Sequence, residues 1–524
     1  MLGLEMVVVL GVAVVACGAL ARRYPIAPAI LLVLVGVLIG FVPYLRQAQL
    51  PPEVVLLLFL PALLYWESLT TSLREIRNNL RVVVLSSTVL VVVTAAAVAA
   101  VAHLLGLAWG TSWVLGGALA PTDATAVGVL ARDLPRRTVT VLRAESLIND
   151  GTALVVYGLA VGVTVGEEHL TPLHVSWLLV LAYGGGILSG VLVGLMSWQV
   201  RRRMDDPMLE GIAMLVTPFA AFLLADLIHA SGVLAVVVCG LFMSRVASRI
   251  TGAATRQIVV PFWSLSTTVL SSVLFVLVGL QTQSALRELT SASIAQALVD
   301  VLAVTAVVIG VRWLWVYTTP YVIRAIDRRP AQRLRRVGAR QRTVTAVAGF
   351  RGAVSLAAVL AVPQQVNSGA PFADRDLIVV ITCGVIVLTL LQALLMPAVV
   401  RFARLPADTS VAEERTFAET FTLDAAVAAL DDTATELGIS ERVVARVRME
   451  AEKQRSLLTA GADEDPVVQH DRQYTSLWLA LIARRREALL ELRDSQRIDD
   501  IVLRQVQARL DIEEVRLSRS NTVE

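Results

Sequence analysis

The chain reads as a succession of apolar blocks separated by short polar interruptions. Runs of Val, Leu, Ala, Ile and Gly recur from Leu4 to Val400, and blocks of roughly 17–25 such residues have the length that crosses about 30 Å of hydrocarbon as helix. About thirteen spans are expected on that criterion, at 4–20, 27–42, 53–68, 82–105, 111–131, 138–164, 174–200, 208–228, 231–244, 257–281, 293–323, 343–361 and 376–403. Two of these blocks are interrupted. The block 111–131 holds Ala120-Pro121-Thr122-Asp123 at its middle, where proline removes a backbone hydrogen bond and clashes with the preceding turn. The block 343–361 holds Gly349-Phe350-Arg351-Gly352, and glycines weaken a helix. Interrupted spans in corresponding halves point to an ion or substrate site near the bilayer midplane, where half-helix ends and unwound carbonyls meet.

After Arg404 the pattern changes. Residues 405–524 are charged, contain no membrane-length apolar run and show helical periodicity through Ala425/Val427/Leu430, Val443/Val444/Val447, Leu477/Leu479/Leu481 and Ile501/Val502/Val506/Leu510. This predicts about four amphipathic helices, broken near Gly438 and at Gly461 to Pro466, as a small bundle with a regulatory or dimerisation role. The expected organisation is a membrane region over 1–404 and a helical cytosolic region over 405–524, an all-α polytopic fold.

Composition agrees with the pattern: 56% of the 524 residues are hydrophobic and 17% charged, with a mean hydropathy of +0.69. Charge then sets orientation, because Lys and Arg gather in cytoplasmic loops. Arg22/Arg23, Arg74/Arg77/Arg81, Arg132/Arg136/Arg137, Arg201 to Arg203, Arg245/Arg249/Arg256 and the run Arg324 to Arg342 fall on one side of the expected spans. The N-terminus is expected outside and the C-terminus in the cytoplasm of a multi-pass plasma-membrane protein. The net charge of +3 follows from this alternation and calls for no nucleic-acid partner. Cys17, Cys239 and Cys383 sit far apart within apolar blocks, which excludes a disulfide framework or a thiolate metal site.

The chemistry lies in Glu145-Ser146-Leu147-Ile148-Asn149-Asp150, two carboxylates and an amide inside an apolar block. A charge at the bilayer centre costs at least about 2.5–3.5 kcal/mol and persists where it carries ions, protons or substrate. At 1.5 Å per residue, Asp150 and Asp123 each lie roughly 18 Å from the start of their segments, at the middle of the bilayer. Hard monovalent cations take oxygen ligands, and Asp150, Asp123, Thr122 and unwound backbone supply them. Proton and cation compete for one buried carboxylate, so exchange follows from mutual exclusion at Asp150, with one proton per cation the expected ratio. Asn149 serves either as a cation ligand or as a clamp on the broken helix. Depth alone allows Arg312 or Arg351 to neutralise Glu145. His103, His229, Glu67, Asp226 and Asp300 approach span ends. A channel needs a polar face along a whole span, an intramembrane hydrolase needs a nucleophile or metal cluster, and neither pattern is present.

Pro121-Thr122-Asp123, Glu145-Ser146-Leu147-Ile148-Asn149-Asp150-Gly151, His229-Ala230-Ser231-Gly232-Val233-Leu234-Ala235, Phe275-Val276-Leu277-Val278-Gly279-Leu280 and Gly349-Phe350-Arg351-Gly352-Ala353-Val354-Ser355, in this order, resemble the first family of monovalent cation/proton antiporters, the NhaP-like sodium/proton exchangers. The resemblance covers residues 1–404. It implies a homodimer in which spans 1–3 and 8–10 form a dimerisation layer, while spans 4–6 and 11–13 form a mobile core of inverted repeats with spans 5 and 12 broken and crossing. It implies Na⁺, or K⁺, at Asp150, completed by Thr122 and Asp123, with Ser146 and Asn149 beside it. It further implies a Glu145–Arg312 ion pair, Arg351 with Gly349, Gly352 and Pro121 supporting the broken helices, and no cofactor. Two positions depart from the family pattern and bear on ion preference: Ala124 follows Asp123 while proline precedes it, and Ser271 stands where asparagine is frequent. No partner for the tail is implied.

Overall fold

The computed structural model describes residues 2–23, 27–42, 55–123, 134–166, 172–288, 291–326, 338–405, 408, 410–459, 466–497 and 499–521. Among these residues no strand occurs. Contacts divide the chain into two compact units, 1–407 and 408–524.

In the first unit the helices are α1 (Leu2–Arg23), α2 (Pro28–Ile39), α3 (Leu60–Thr70), α4 (Leu73–Asn78), α5 (Leu80–Ser87), α6 (Val89–Leu104), α7 (Trp109–Leu119), α8 (Arg136–Val165), α9 (Pro172–Val180), α10 (Gly186–Arg201), α11 (Pro207–Leu227), α12 (Gly232–Ile250), α13 (Ala253–Glu288), α14 (Ser291–Ile326), α15 (Ala339–Val347), α16 (Ala353–Leu360), α17 (Arg375–Leu391) and α18 (Met396–Ala403). Their boundaries follow local chemistry. Asp206 caps α11, its carboxylate accepting from the amides of Met208 (2.7 Å) and Leu209 (2.9 Å) with Pro207 at the first helical position. The long α8 starts after Pro135 and stops at Gly166, whose φ of 91° lies in the left-handed region.

Nine of the described helical segments are long and apolar enough to cross a membrane. The blocks expected at 27–42 and 53–68 form shorter apolar helices, Pro28–Ile39 and Leu57–Thr70. The block 111–131 is helical only to Leu119 within the described residues, and its second half, 124–133, lies outside them.

The apolar helices pack closely because small residues sit where they cross. Between α2 and α13, a Cβ on Gly36 would overlap the Val276 carbonyl, and one on Gly279 would overlap that of Val33. Helices that share a lipid-like environment associate by such close backbone approach. Around the site, α7 lies against α6 and α8, while α14, α16 and α17 close the other flank.

The second unit corrects the expectation of four tail helices. Among the described residues it has five, α19 (Ser410–Ala428), α20 (Leu430–Glu436), α21 (Glu441–Thr459), α22 (Pro466–Asp494) and α23 (Asp500–Asn521), because the first expected helix is interrupted at Ala429, a residue with no breaker chemistry. Ile482, Leu489, Leu503 and Leu510 form a small core between α22 and α23.

Candidate functional site

The end of one helix meets the gap between two others inside the first unit. Helix α7 ends at Leu119 and residues 120–123 are not helical. Helix α15 ends at Val347, residues 348–352 are not helical, and α16 starts at Ala353. The two stretches are hydrogen-bonded to each other: the Asp123 amide donates to the Phe350 carbonyl (2.8 Å), and the Ala353 amide donates to the Asp123 carboxylate (3.3 Å). A Cβ at Gly352 would overlap that carboxylate, so only glycine permits the approach.

Arg351 fills the space between them. Its side chain is 2% exposed, Nε donates to the Leu119 carbonyl at 3.2 Å, and Nη1 donates to that of Gly349. The Leu119 carbonyl is among those left without an intrahelical partner at the end of α7, where the helix dipole is negative. The guanidinium meets both needs. Thr389 of α17 accepts from the Arg351 amide (3.2 Å) while its own hydroxyl donates to the carbonyls of Val385 (2.8 Å) and Ile386 (3.1 Å).

Helix α8 passes beside the interruption and presents two faces. Residues four apart share a face, so Ser146 and Asp150 line one small cavity, whereas Glu145 and Asn149 are not among its lining residues. Asn149 Nδ2 donates to the Thr122 hydroxyl at 2.7 Å, which ties the broken segment to α8. Glu145 binds Arg312 of α14, Oε1 to Nη1 at 2.6 Å with both side chains buried. Arg312 Nε also donates to the Thr345 carbonyl (3.2 Å), and a Cβ at Gly349 would collide with the Arg312 side chain. Of the two arginines that depth allowed, Arg312 holds Glu145 and Arg351 caps backbone.

The cavity, about 40 Å³, exceeds the ~10–15 Å³ that one water occupies. Its wall carries Pro121, Thr122, Asp123, Ser146, Asp150, Gly352, Ser355 and Ser271, and on the facing helix α3 Leu60 and Glu67. Asp150 Oδ1 and Ser355 Oγ, both buried, have no hydrogen-bond partner among the described residues. Carboxylate and hydroxyl residues lining one small space supply the oxygen donors that a hard monovalent cation takes. Glu67, read near a span end, lies in the last turn of α3, which ends at Thr70, and on this cavity wall; the sequence pattern gives Ser355 and Thr389 no role. Ser355 lay within a motif without a role, and Thr389 carried no signal, since hydroxyl residues are common in membrane helices.

Residues 9–401 match the protein family described as sodium/hydrogen exchanger, transmembrane. The chain is 45% identical over 521 residues to a Na⁺/H⁺ exchanger of Mycobacterium tuberculosis, covering 98% of this chain and 96% of that one. It is 27% identical over 374 residues to a sodium, potassium, lithium and rubidium/H⁺ antiporter of Bacillus pumilus, 68% of this chain and 55% of that one. Its fold is similar to that of the sodium proton antiporter MjNhaP1 of Methanocaldococcus jannaschii, with a TM-score of 0.58 at 20% identity over 77% of this chain and 99% of the other. With apolar membrane-length helices and a family match across three-quarters of its length, the chain belongs to the sodium/hydrogen exchanger family of secondary transporters.

Proposed function

We propose that this protein exchanges Na⁺ for H⁺ across the plasma membrane in a one-to-one, electroneutral cycle, and serves pH and cation homeostasis. The carrying observation is Asp150 on the wall of the small cavity, its Oδ1 without a partner among the described residues, with Thr122, Asp123, Ser146 and Ser355 on the same lining. A carboxylate away from bulk water is neutralised either by a proton or by a cation, and one oxygen set does not hold both. Release of one therefore accompanies capture of the other. Asn149 acts as a clamp on Thr122, and Glu145–Arg312 and Arg351 hold the frame in which Asp150 works. Gly349, Gly352 and Pro121 keep the interruptions open. The ions are the substrates and no cofactor takes part.

The full reading has the protein as a homodimer of thirteen spans, N-terminus outside and C-terminus in the cytoplasm, with spans 1–3 and 8–10 as the dimer layer. Spans 4–6 and 11–13 move as a core of inverted repeats, the interrupted α7 and α15–α16 being parts of the crossing spans 5 and 12. Support comes from the fold likeness and from the hydrogen bonds joining the two interruptions. K⁺ exchange is the second reading, favoured by the breadth of cations in the name of the Bacillus pumilus relative. The test is proton flux in proteoliposomes loaded with a pH dye and challenged with Na⁺ or K⁺ in turn. Wild-type protein should dequench the dye with Na⁺, and Asp150→Asn should not, although it folds. Robust cation-driven flux through purified Asp150→Asn would end this mechanism, and a response to K⁺ that matches or exceeds Na⁺ would transfer it to the second reading.

A further inference from the structure

A second cleft, about 200 Å³ in volume, lies apart from the ion cavity among the N-terminal turns of α5, α8 and α15 and the second half of α14. Its lining includes Arg81, Arg137 and Arg342. Arg342 is only 6% exposed, and its Nε has no hydrogen-bond partner among the described residues. Its guanidinium carbon lies 5.4 Å from the centre of the Tyr321 ring. Arg137 is held in place by Asn79, Nε to Oδ1 at 3.1 Å. The single carboxylate on the described lining, Glu145, is already engaged by Arg312. Apolar residues share the lining, Leu142, Val316 and Ile323 among them.

A buried arginine donor without an acceptor is costly, and guanidinium groups gathered around one space repel unless an anion lies between them. The N-termini of α8 and α15 at the same place add to the positive potential. Phosphate oxygens match the planar donor fork of arginine. We propose that this cleft binds a phosphate-bearing anion, and the apolar residues that share its lining with the arginines point to the headgroup and proximal acyl chain of an anionic phospholipid as its source.

The test uses the purified full-length protein stripped of lipid in detergent, then offered phosphatidylglycerol, phosphatidylcholine or inorganic phosphate, with native mass spectrometry for retained lipid and thermal melting for stabilisation. Phosphatidylglycerol should be retained over phosphatidylcholine. Arg342→Gln should lower that retention by about tenfold, the effect of one lost charge-assisted hydrogen bond. Because loss of a buried arginine can impair folding, the more exposed pair is tested separately as Arg81→Gln/Arg137→Gln, with the same direction expected. Stabilisation by inorganic phosphate equal to that by phosphatidylglycerol would keep the anion site and assign it to a soluble phosphate. No preference for phosphatidylglycerol together with no effect of phosphate, or wild-type retention in the Arg81→Gln/Arg137→Gln protein, would overturn the proposal.

Discussion

Glu145 and Asp150 sit five residues apart on one helix and meet opposite surroundings. The first is locked to Arg312 at 2.6 Å, and the second has an unpartnered oxygen on a cavity wall. Removing one member of the buried pair leaves a charge without a partner, at a cost of about 3–5 kcal/mol. Glu145→Gln or Arg312→Met alone should therefore sharply lower folded yield by size-exclusion chromatography, and the double variant should recover part of it. A double variant as unstable as the sum of the two singles would argue against the pair. Gly352→Ala makes a separate test: its methyl group would displace the Asp123 carboxylate, so exchange should fall by at least about tenfold, a displacement worth some 1.4 kcal/mol. Gly310→Ala, whose added Cβ meets nothing within 4 Å, should behave as wild type; equal activity of the two variants would remove Asp123 from the site. At this scale, charged residues inside apolar blocks were legible in the sequence, because only a task or a partner keeps them there. Ser355 was not, since a hydroxyl in a membrane helix ordinarily satisfies itself on the preceding turn.

Elements were legible wherever hydropathy and breakers agreed, as in the block read at 138–164 and found as a helix over Arg136–Val165. They were not where a distortion has no glycine or proline. The block read at 82–105 is found as one apolar segment, Leu80–Leu104, with a local distortion at Thr88, whose hydroxyl donates to the Val84 carbonyl at 2.7 Å and whose φ is −116°. Such back-bonding bends helices without altering hydropathy. The crossing of α2 and α13 was equally hidden, because it depends on which faces meet. Gly279→Val would push the two backbones apart and should cost on the order of 1–3 kcal/mol, read as a lower melting midpoint in detergent. An unchanged midpoint would show that this close approach carries no stability.

For the whole molecule, composition and the change of pattern after Arg404 were enough to separate an apolar region from a charged one, whereas the spatial meeting of residues 120–123 with 348–352 was beyond any pattern along the chain. The tail unit has its own core in Ile482, Leu489, Leu503 and Leu510 and its own ion pairs, Arg448–Asp431 and Lys453–Asp471 at 2.8 Å each. Every oxygen on the cavity wall belongs to the first unit. Deletion of residues 408–524 should thus preserve cation-driven proton flux and alter at most its pH set point, the dimer or the expression level. A truncated protein that inserts normally yet shows no flux between pH of about 5 and 9, the span over which a perturbed carboxyl titrates, would make the tail part of the mechanism.

The guanidinium of Arg351, tethered across the carbonyl of Leu119, has an electrical consequence for the proposed cycle. At the crossing point it stands as one fixed positive charge against the two carboxylates of Asp123 and Asp150, while Glu145 and Arg312 cancel each other. A core carrying Na⁺ or H⁺ is then neutral as it moves, and only an empty core crosses with a charge. The apolar barrier that both loaded forms pass freely resists the empty one. In the proposed one-to-one cycle leak would be suppressed without any gate dedicated to that purpose, and membrane voltage, which acts on displaced charge alone, would find no handle on turnover.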